Sequence, residues 1–227
     1  MLLLVASILV LFLLNLFLGS VHIPMDSIWN ILWGLDGDES VIWQNIIWKS
    51  RIPQSLTALV AGAGLAVSGL QMQTVFRNPL AGPSVLGISS GASLGVAFVV
   101  LLSGSIGGIA LSRLGFMGEI ALTVAAIVGA LSVMALIVYV SQKVHGNVTL
   151  LIIGVMIGYV ANAVIGVLKF FSVEEDIRAY VIWGLGSFAR VSGNQVTVFI
   201  CIMAVLLPLS FFLIKTTMRL IKKLYAL

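Results

Sequence analysis

Residues 51–95 read RIPQSLTALVAGAGLAVSGLQMQTVFRNPLAGPSVLGISSGASLG. No Asp, Glu, Lys or Arg falls between Pro53 and Phe76, or between Ser84 and Gly95. A charge at the centre of a membrane helix costs about 2.5–3.5 kcal/mol on insertion scales, so uncharged stretches of this length read as bilayer spans. Arg51 and Pro53 open the first stretch, Arg77-Asn78-Pro79 stops it, and Pro83 is expected to start the next helix. Ala58, Gly62 and Ala66, then Gly87, Gly91 and Gly95, recur every fourth residue. Small residues at that spacing let helix backbones approach closely in lipid.

The same signal recurs along the chain. Uncharged windows run approximately from Leu2 to Gly19, Pro53 to Phe76, Ser84 to Leu102, Ile120 to Ser141, Val148 to Leu168 and Gln195 to Ile214. They lack the strict alternation of a membrane β-strand. The fold class is therefore an all-α integral membrane bundle, with one transmembrane domain over 1–227. The 227 residues are 60% hydrophobic and 9% charged, with mean hydropathy +1.18, which excludes a water-soluble globule and a disordered chain alike. The first window is longer than a signal-peptide apolar core, and no Lys or Arg precedes Lys49, so it reads as a retained helix.

Basic residues split evenly across the two sides, but the run from Lys215 to Lys223 favours the cytoplasm, which puts the N-terminus inside. All eight acids and all five tryptophans then fall in outer segments, the tryptophans as an interfacial belt. Within the outer loop 20–50, Pro24 and a cap at Asp26 or Ser27 predict a short interfacial helix carrying Ile28, Trp29, Ile31, Leu32 and Trp33. A second outer segment, 171–194, holds an apolar piece from Ala179 to Phe188 too short to span, expected as a re-entrant or surface helix.

Other chemistries lack their residues. Cys201 alone gives no disulfide and no cysteine metal site. The acidic turn at Asp36, Asp38 and Glu39 lacks the spacing of a calcium loop. His22 and His145 have no carboxylate nearby in sequence, and no phosphate-binding glycine loop ends in Lys-Ser/Thr. No catalytic residue, metal or cofactor is expected, and nucleic-acid binding is excluded because the net charge of +4 sits at span ends. The windows hold few polar residues (Ser68, Gln71, Gln73, Ser89, Ser90 and Asn162) and no carboxylate, which argues against an ion-coupled carrier. Asn162 reads first as an interhelical hydrogen-bonding residue and second as pathway lining.

Arg51-Ile52-Pro53, Ser68-Gly69, Gln73, Arg77-Asn78-Pro79-Leu80-Ala81, Pro83, Leu86-Gly87 and Gly91-Ala92 together resemble the signature of the FecCD/BtuC-type permeases. These are membrane subunits of ATP-binding-cassette importers for iron-siderophore complexes, haem and cobalamin. Trp183 with Gly186-Ser187 is similar to a second family signature. The resemblance covers the chain from first span to sixth and implies a subunit of the bacterial cytoplasmic (inner) membrane. It implies three protein partners: a second permease subunit in a homodimer, a cytoplasmic ATPase that hydrolyses ATP, and a periplasmic or lipid-anchored substrate-binding protein. It further implies that Arg51 pairs with a carboxylate of the docked binding protein, with Gln54 standing where relatives carry a second arginine. Gln73, Arg77, Asn78, Pro79, Asn162, Trp183, Gly186 and Ser187 take pathway and gate positions, and the 179–188 helix contributes to an outer gate. Gly193 stands where many relatives have tryptophan. Family members have ten spans; a truncated, non-transporting remnant that cannot couple to the ATPase is the alternative expectation.

Overall fold

The computed structural model describes residues 2–35, 41–106, 116–144, 146–188, 191 and 193–224. The acidic turn at 36–39, Arg113, His145 and Arg190 lie outside them. The helices are α1 (Leu2–Phe17), α2 (Met25–Trp33), α3 (Val41–Ile46), α4 (Ile52–Phe76), α5 (Ile88–Ile106), α6 (Phe116–Ser141), α7 (Asn147–Phe171), α8 (Glu174–Leu185) and α9 (Gly193–Leu224). One π-helical turn, Ile47–Arg51, joins α3 to α4 without a break. No strand occurs among the described residues.

Each of the six uncharged windows holds a helix. Four helices are long and apolar enough to cross a bilayer: Val41–Phe76, Met117–Ser141, Val148–Phe171 and Gly193–Leu213. Leu2–Phe17 and Ile88–Leu102 are shorter apolar helices. At 1.5 Å per residue the 16 residues of α1 cover about 24 Å of a hydrocarbon core about 30 Å thick.

Three boundaries differ from those expected. Helix α2 starts at Met25, and neither Asp26 nor Ser27 caps it; Pro24 precedes it with φ −56°, and the Ile28 N–H donates to the Pro24 carbonyl at 3.1 Å. Pro83 does not start α5. The chain instead makes two tight turns, Val85 N–H to Gly82 O and Gly87 N–H to Ser84 O, and passes Gly87 at φ +72° before α5 begins. Helix α8 begins five residues before Ala179, because Glu174, Glu175 and Asp176 supply negative charge to its first turn, and it ends at Gly186, φ +66°.

The chain forms two compact units, Met1–Val67 with Ser187–Leu227, and Ser68–Gly186. In the first, Ile23, Ile28, Ile31 and Ile47 form a buried cluster flanked by Phe17, Leu32, Trp43, Ile46 and Ile52. Gly64 of α4 lies against the Met203 side chain of α9, and Pro208 within α9 has no N–H to give the carbonyl one turn earlier. In the second unit α5 is central. Its Val96, Ala97, Val100 and Leu101 are buried with Ile165 of α7 and Tyr180 of α8. A separate cluster gathers Phe76, Ala81, Leu86, Val133, Ile137 and Leu151.

Helices α5 and α6 meet backbone to backbone. A Cβ on Gly95 would collide with the Ala125 carbonyl, one on Gly129 with the Gly91 carbonyl, and one on Gly91 would lie 2.7 Å from the Gly129 carbonyl. The α4 series behaves differently: Ala58, Gly62 and Ala66 are exposed, and a Cβ on Gly62 meets nothing within 4 Å. One substitution should therefore act with opposite sign at two glycines. Gly129→Ala should lower stability by roughly 1–3 kcal/mol through overpacking, whereas Gly62→Ala should raise it by about 0.5–1 kcal/mol through helix propensity. Thermal unfolding of the detergent-solubilised variants checks both.

Candidate functional site

Arg51 closes the π turn and is only 5% exposed. Its Nη1 donates to the carbonyls of Leu16 at 2.6 Å and Phe17 at 3.2 Å, and its Nη2 to the carbonyl of Val21 at 2.5 Å. Leu16 and Phe17 end α1, where carbonyls lack helical partners and the helix dipole is negative, so a guanidinium is suited to the place by charge and by its fork of donors. The linker follows that shape: a Cβ on Gly19 would lie 2.8 Å from Arg51 Nη2. One turn into α4, Ser55 Oγ lies 2.7 Å from Asn15 Oδ1 and 2.8 Å from the Arg51 carbonyl. Arg51 is thus a staple between the end of α1 and the start of α4. So engaged, it is held within the chain and almost wholly buried, while Gln54 beside it is half-buried.

The Arg77–Ala81 stop is built from three local devices. Arg77 takes φ 49°, the left-handed conformation that ends many helices but strains a residue with a Cβ. Beyond it the Asn78 N–H donates back to the Gln73 carbonyl at 3.2 Å, which completes the wound end. Asn78 Oδ1 then accepts from the Leu80 N–H at 2.9 Å, and its carbonyl accepts from the Ala81 N–H at 3.1 Å, with Pro79 presetting the turn between. Ala81 and Leu86 are buried, and Arg77, Pro79 and Gln73 are exposed.

After this stop, Gly87 lets the chain pass α7 at close range, since a Cβ there would lie 2.7 Å from the Gly154 carbonyl. Beside the contact opens a cleft of about 270 Å³ lined by Ser84, Val85, Gly87, Ser90, Val155, Gly158, Tyr159 and Asn162. Of the polar residues singled out in the sequence, the fold brings Ser90 and Asn162 together here. Gln73 and Arg77 are not part of the lining. The lining carries hydroxyl and carboxamide groups and no carboxylate or ammonium, so it offers neutral hydrogen-bonding groups and no fixed charge. Tyr159 and Gly158 were not singled out, although Gly154 and Gly158 carry the same every-fourth-residue signal as α5.

Helix α8 is held at its middle. Tyr180 is buried against α5, interacts with the Ser93 side chain, and receives Lys169 Nζ over its ring at 4.8 Å. Trp183 packs one turn later, its ring centroid 6.4 Å from that of Tyr180. The Gly186 N–H closes the end on the Trp183 carbonyl, and Ser187 is exposed. Ser172 Oγ, within 3.0 Å of the Leu101 carbonyl, fixes the α7–α8 joint to α5.

Two substitutions separate these roles. Arg51→Gln should lower stability by roughly 1.5–3 kcal/mol, the value of a charge-assisted hydrogen-bond set, and should open the 18–24 linker to limited proteolysis. Arg77→Gly should raise the unfolding midpoint, since glycine removes about 1–2 kcal/mol of left-handed strain.

The model of the FecCD transport family matches residues 7–221. The hemin transport system permease protein HmuU of Yersinia pestis is 35% identical over 194 residues, which are 84% of this chain and 55% of that protein. The vitamin B12 import system permease protein BtuC of Pectobacterium atrosepticum is 32% identical, over 81% of this chain and 51% of its own length. A solved structure described as an inward-facing conformation of a metal-chelate type ABC transporter superposes with TM-score 0.67 at 26% identity, over 87% of this chain and 56% of that one. The chain spans about half the length of the curated relatives it matches.

Proposed function

Because the chain belongs to the FecCD transport family, we propose that it is a membrane permease subunit of an ATP-binding-cassette importer for metal chelates, with iron-siderophore complexes, haem and cobalamin as the substrate class. What carries this reading is the unbroken family match through both compact units. The neutral cleft at Ser90, Tyr159 and Asn162 supports it, because a large chelate must pass without being trapped. A second permease subunit completes the pathway, a separate ATPase hydrolyses ATP, and a binding protein delivers the chelate. The chain sits in the bacterial inner membrane with its N-terminus cytoplasmic.

On this reading α8, with Trp183, Gly186 and Ser187, contributes to the outer gate, and Gln73, Arg77, Asn78 and Pro79 bound the pathway at the opposite end. The corner of Arg51 and Gln54 is the docking edge. Arg51 serves it from behind, as the staple that holds the end of α1 and the linker in place.

The test is reconstitution in proteoliposomes with the ATPase and binding protein, scored by ATP-dependent uptake of a ferric siderophore, haem and cobalamin in parallel. Uptake of one of the three should require ATP and the binding protein; uptake without the ATPase would overturn the reading. Gly158→Leu should depress uptake, since its side chain would grow toward Ser90 across the cleft, where even a Cβ lies 3.3 Å from Ser90 Oγ. Its membrane insertion, followed by yield in the membrane fraction, should be unchanged.

A further inference from the structure

Asp176, Tyr180 and Trp183 stand at i, i+4 and i+7 of α8, on one face of the helix. Tyr180 and Trp183 pack into the buried cluster that α5 supplies with Val96, Ala97, Val100 and Leu101. Asp176 shares their face where an apolar residue would be expected, and its carboxyl group is buried with them. The residue is 6% exposed, and its Oδ2 has no hydrogen-bond partner among the described residues. Tyr180, one turn on, is provided for: it shares a hydrogen bond with the Ser93 side chain, and Lys169 Nζ lies 4.8 Å over its ring rather than on the carboxylate.

A carboxylate oxygen shut away from water without a donor makes its position costly. Negative charge does suit the first turn of a helix, where N–H groups are open and the dipole is positive. Glu174 and Glu175 supply that charge from the exposed side, so the dipole leaves the burial of the third acid unexplained. The backbone around α8 shows where the cost is relieved. Ser172 and Val173 are extended, with φ −94° and −75°, and form a two-residue joint between α7 and α8. The joint is itself pinned, since Ser172 Oγ lies 3.0 Å from the Leu101 carbonyl. At the far end Gly186 breaks the helix with φ +66°, and Leu185 is 79% exposed. Helix α8 is thus a short lever with a fixed pivot, a latch at Tyr180 and one residue, Asp176, that works against the latch.

We propose that α8 is a two-position element in which Asp176 opposes the Tyr180 latch. Docked on α5, it buries the carboxylate unpaired; turned about the Ser172–Val173 joint, it returns the carboxylate to water and releases Tyr180 from Ser93 and Lys169. The acid thereby holds the two positions close in free energy, so that a modest force on α8 exchanges them. The inference rests on packing within one compact unit and stands whether or not α8 gates the pathway.

The test is hydrogen–deuterium exchange of the full chain in nanodiscs, read on the amides of 174–186. A helix of 12 residues does not hold by itself once its packing is lost, so these amides exchange when α8 leaves α5. Asp176→Asn keeps the shape and removes the charge, and should slow that exchange about tenfold. Asp176→Leu serves in its place should the amide variant fail to insert. Tyr180→Phe, which removes the bond to Ser93, should hasten exchange. Glu175→Gln, which removes an exposed acid from the same turn, should not slow it. Exchange in the Asp176 variant equal to or faster than wild type overturns the proposal and marks the carboxylate as satisfied in the docked helix, by the dipole or by a buried water. Equal slowing by Glu175→Gln overturns it as well, since charge crowding in the first turn would then be the cause. Slowing spread evenly over α5, α7 and α8 does the same, as a general gain of stability.

Discussion

Between helices already in lipid there is no hydrophobic drive toward contact, so association stands on close packing and a few hydrogen bonds. In the unit from Ser68 to Gly186 that packing is concentrated where α5 crosses α6, with Gly91, Gly95 and Gly129 holding the backbones so near that a methyl group on any of them would meet a carbonyl oxygen. The rest of the unit is arranged on α5: α7 packs on it through Ile165 and the Ser172–Leu101 contact and passes the turn before it where Gly87 meets Gly154, and α8 packs on it through Tyr180. The cleft at Ser90 and Asn162 opens between α7 and the start of α5, beside the close approach of Gly87 to Gly154.

Fold class was legible because the signal for a membrane helix is an absence of charge over a known length, and one sequence suffices to read an absence. The Arg-Asn-Pro stop was legible for a similar reason, since each residue acts on its own backbone. What escaped depends on partners remote in sequence. Pro83 looks like a helix start until the Gly154 carbonyl, far along the chain, requires a left-handed Gly87 in between. The acids at Glu174, Glu175 and Asp176 read as a charged stretch outside the apolar piece that starts at Ala179 until the dipole of the helix they begin is counted. Tyr159 and Lys169 carry no local signal, because a cleft wall and a ring contact are made by the neighbour as much as by the residue.

Arg51 shows the limit most clearly. Sequence reveals a donor and leaves its acceptors unnamed. The guanidinium that would suit a partner's carboxylate suits the open end of a helix just as well, and here it is spent on three carbonyls within the chain. Gln54, one turn on and half-buried, keeps the same edge polar without a second charge. A change in the staple would therefore alter the end of α1, the 18–24 linker and the start of α4 together.

The π turn at Ile47–Arg51 has a consequence for how this stretch tolerates length changes. A π turn accommodates one residue more than an α-turn, and in a helix of 3.6 residues per turn one residue is worth about 100° of rotation. Ile47 can thus face the isoleucine cluster while Arg51 reaches the end of α1, both from one continuous helix. The turn works as a phase adjuster. Losing a single residue within it would return the turn to α geometry and leave Trp43 and Ile46 facing the cluster they flank, whereas losing one from the regular helix beside it would leave the span as apolar as before yet rotate one side against the other by about 100°. A deletion invisible to hydropathy would unseat one entire side of the corner.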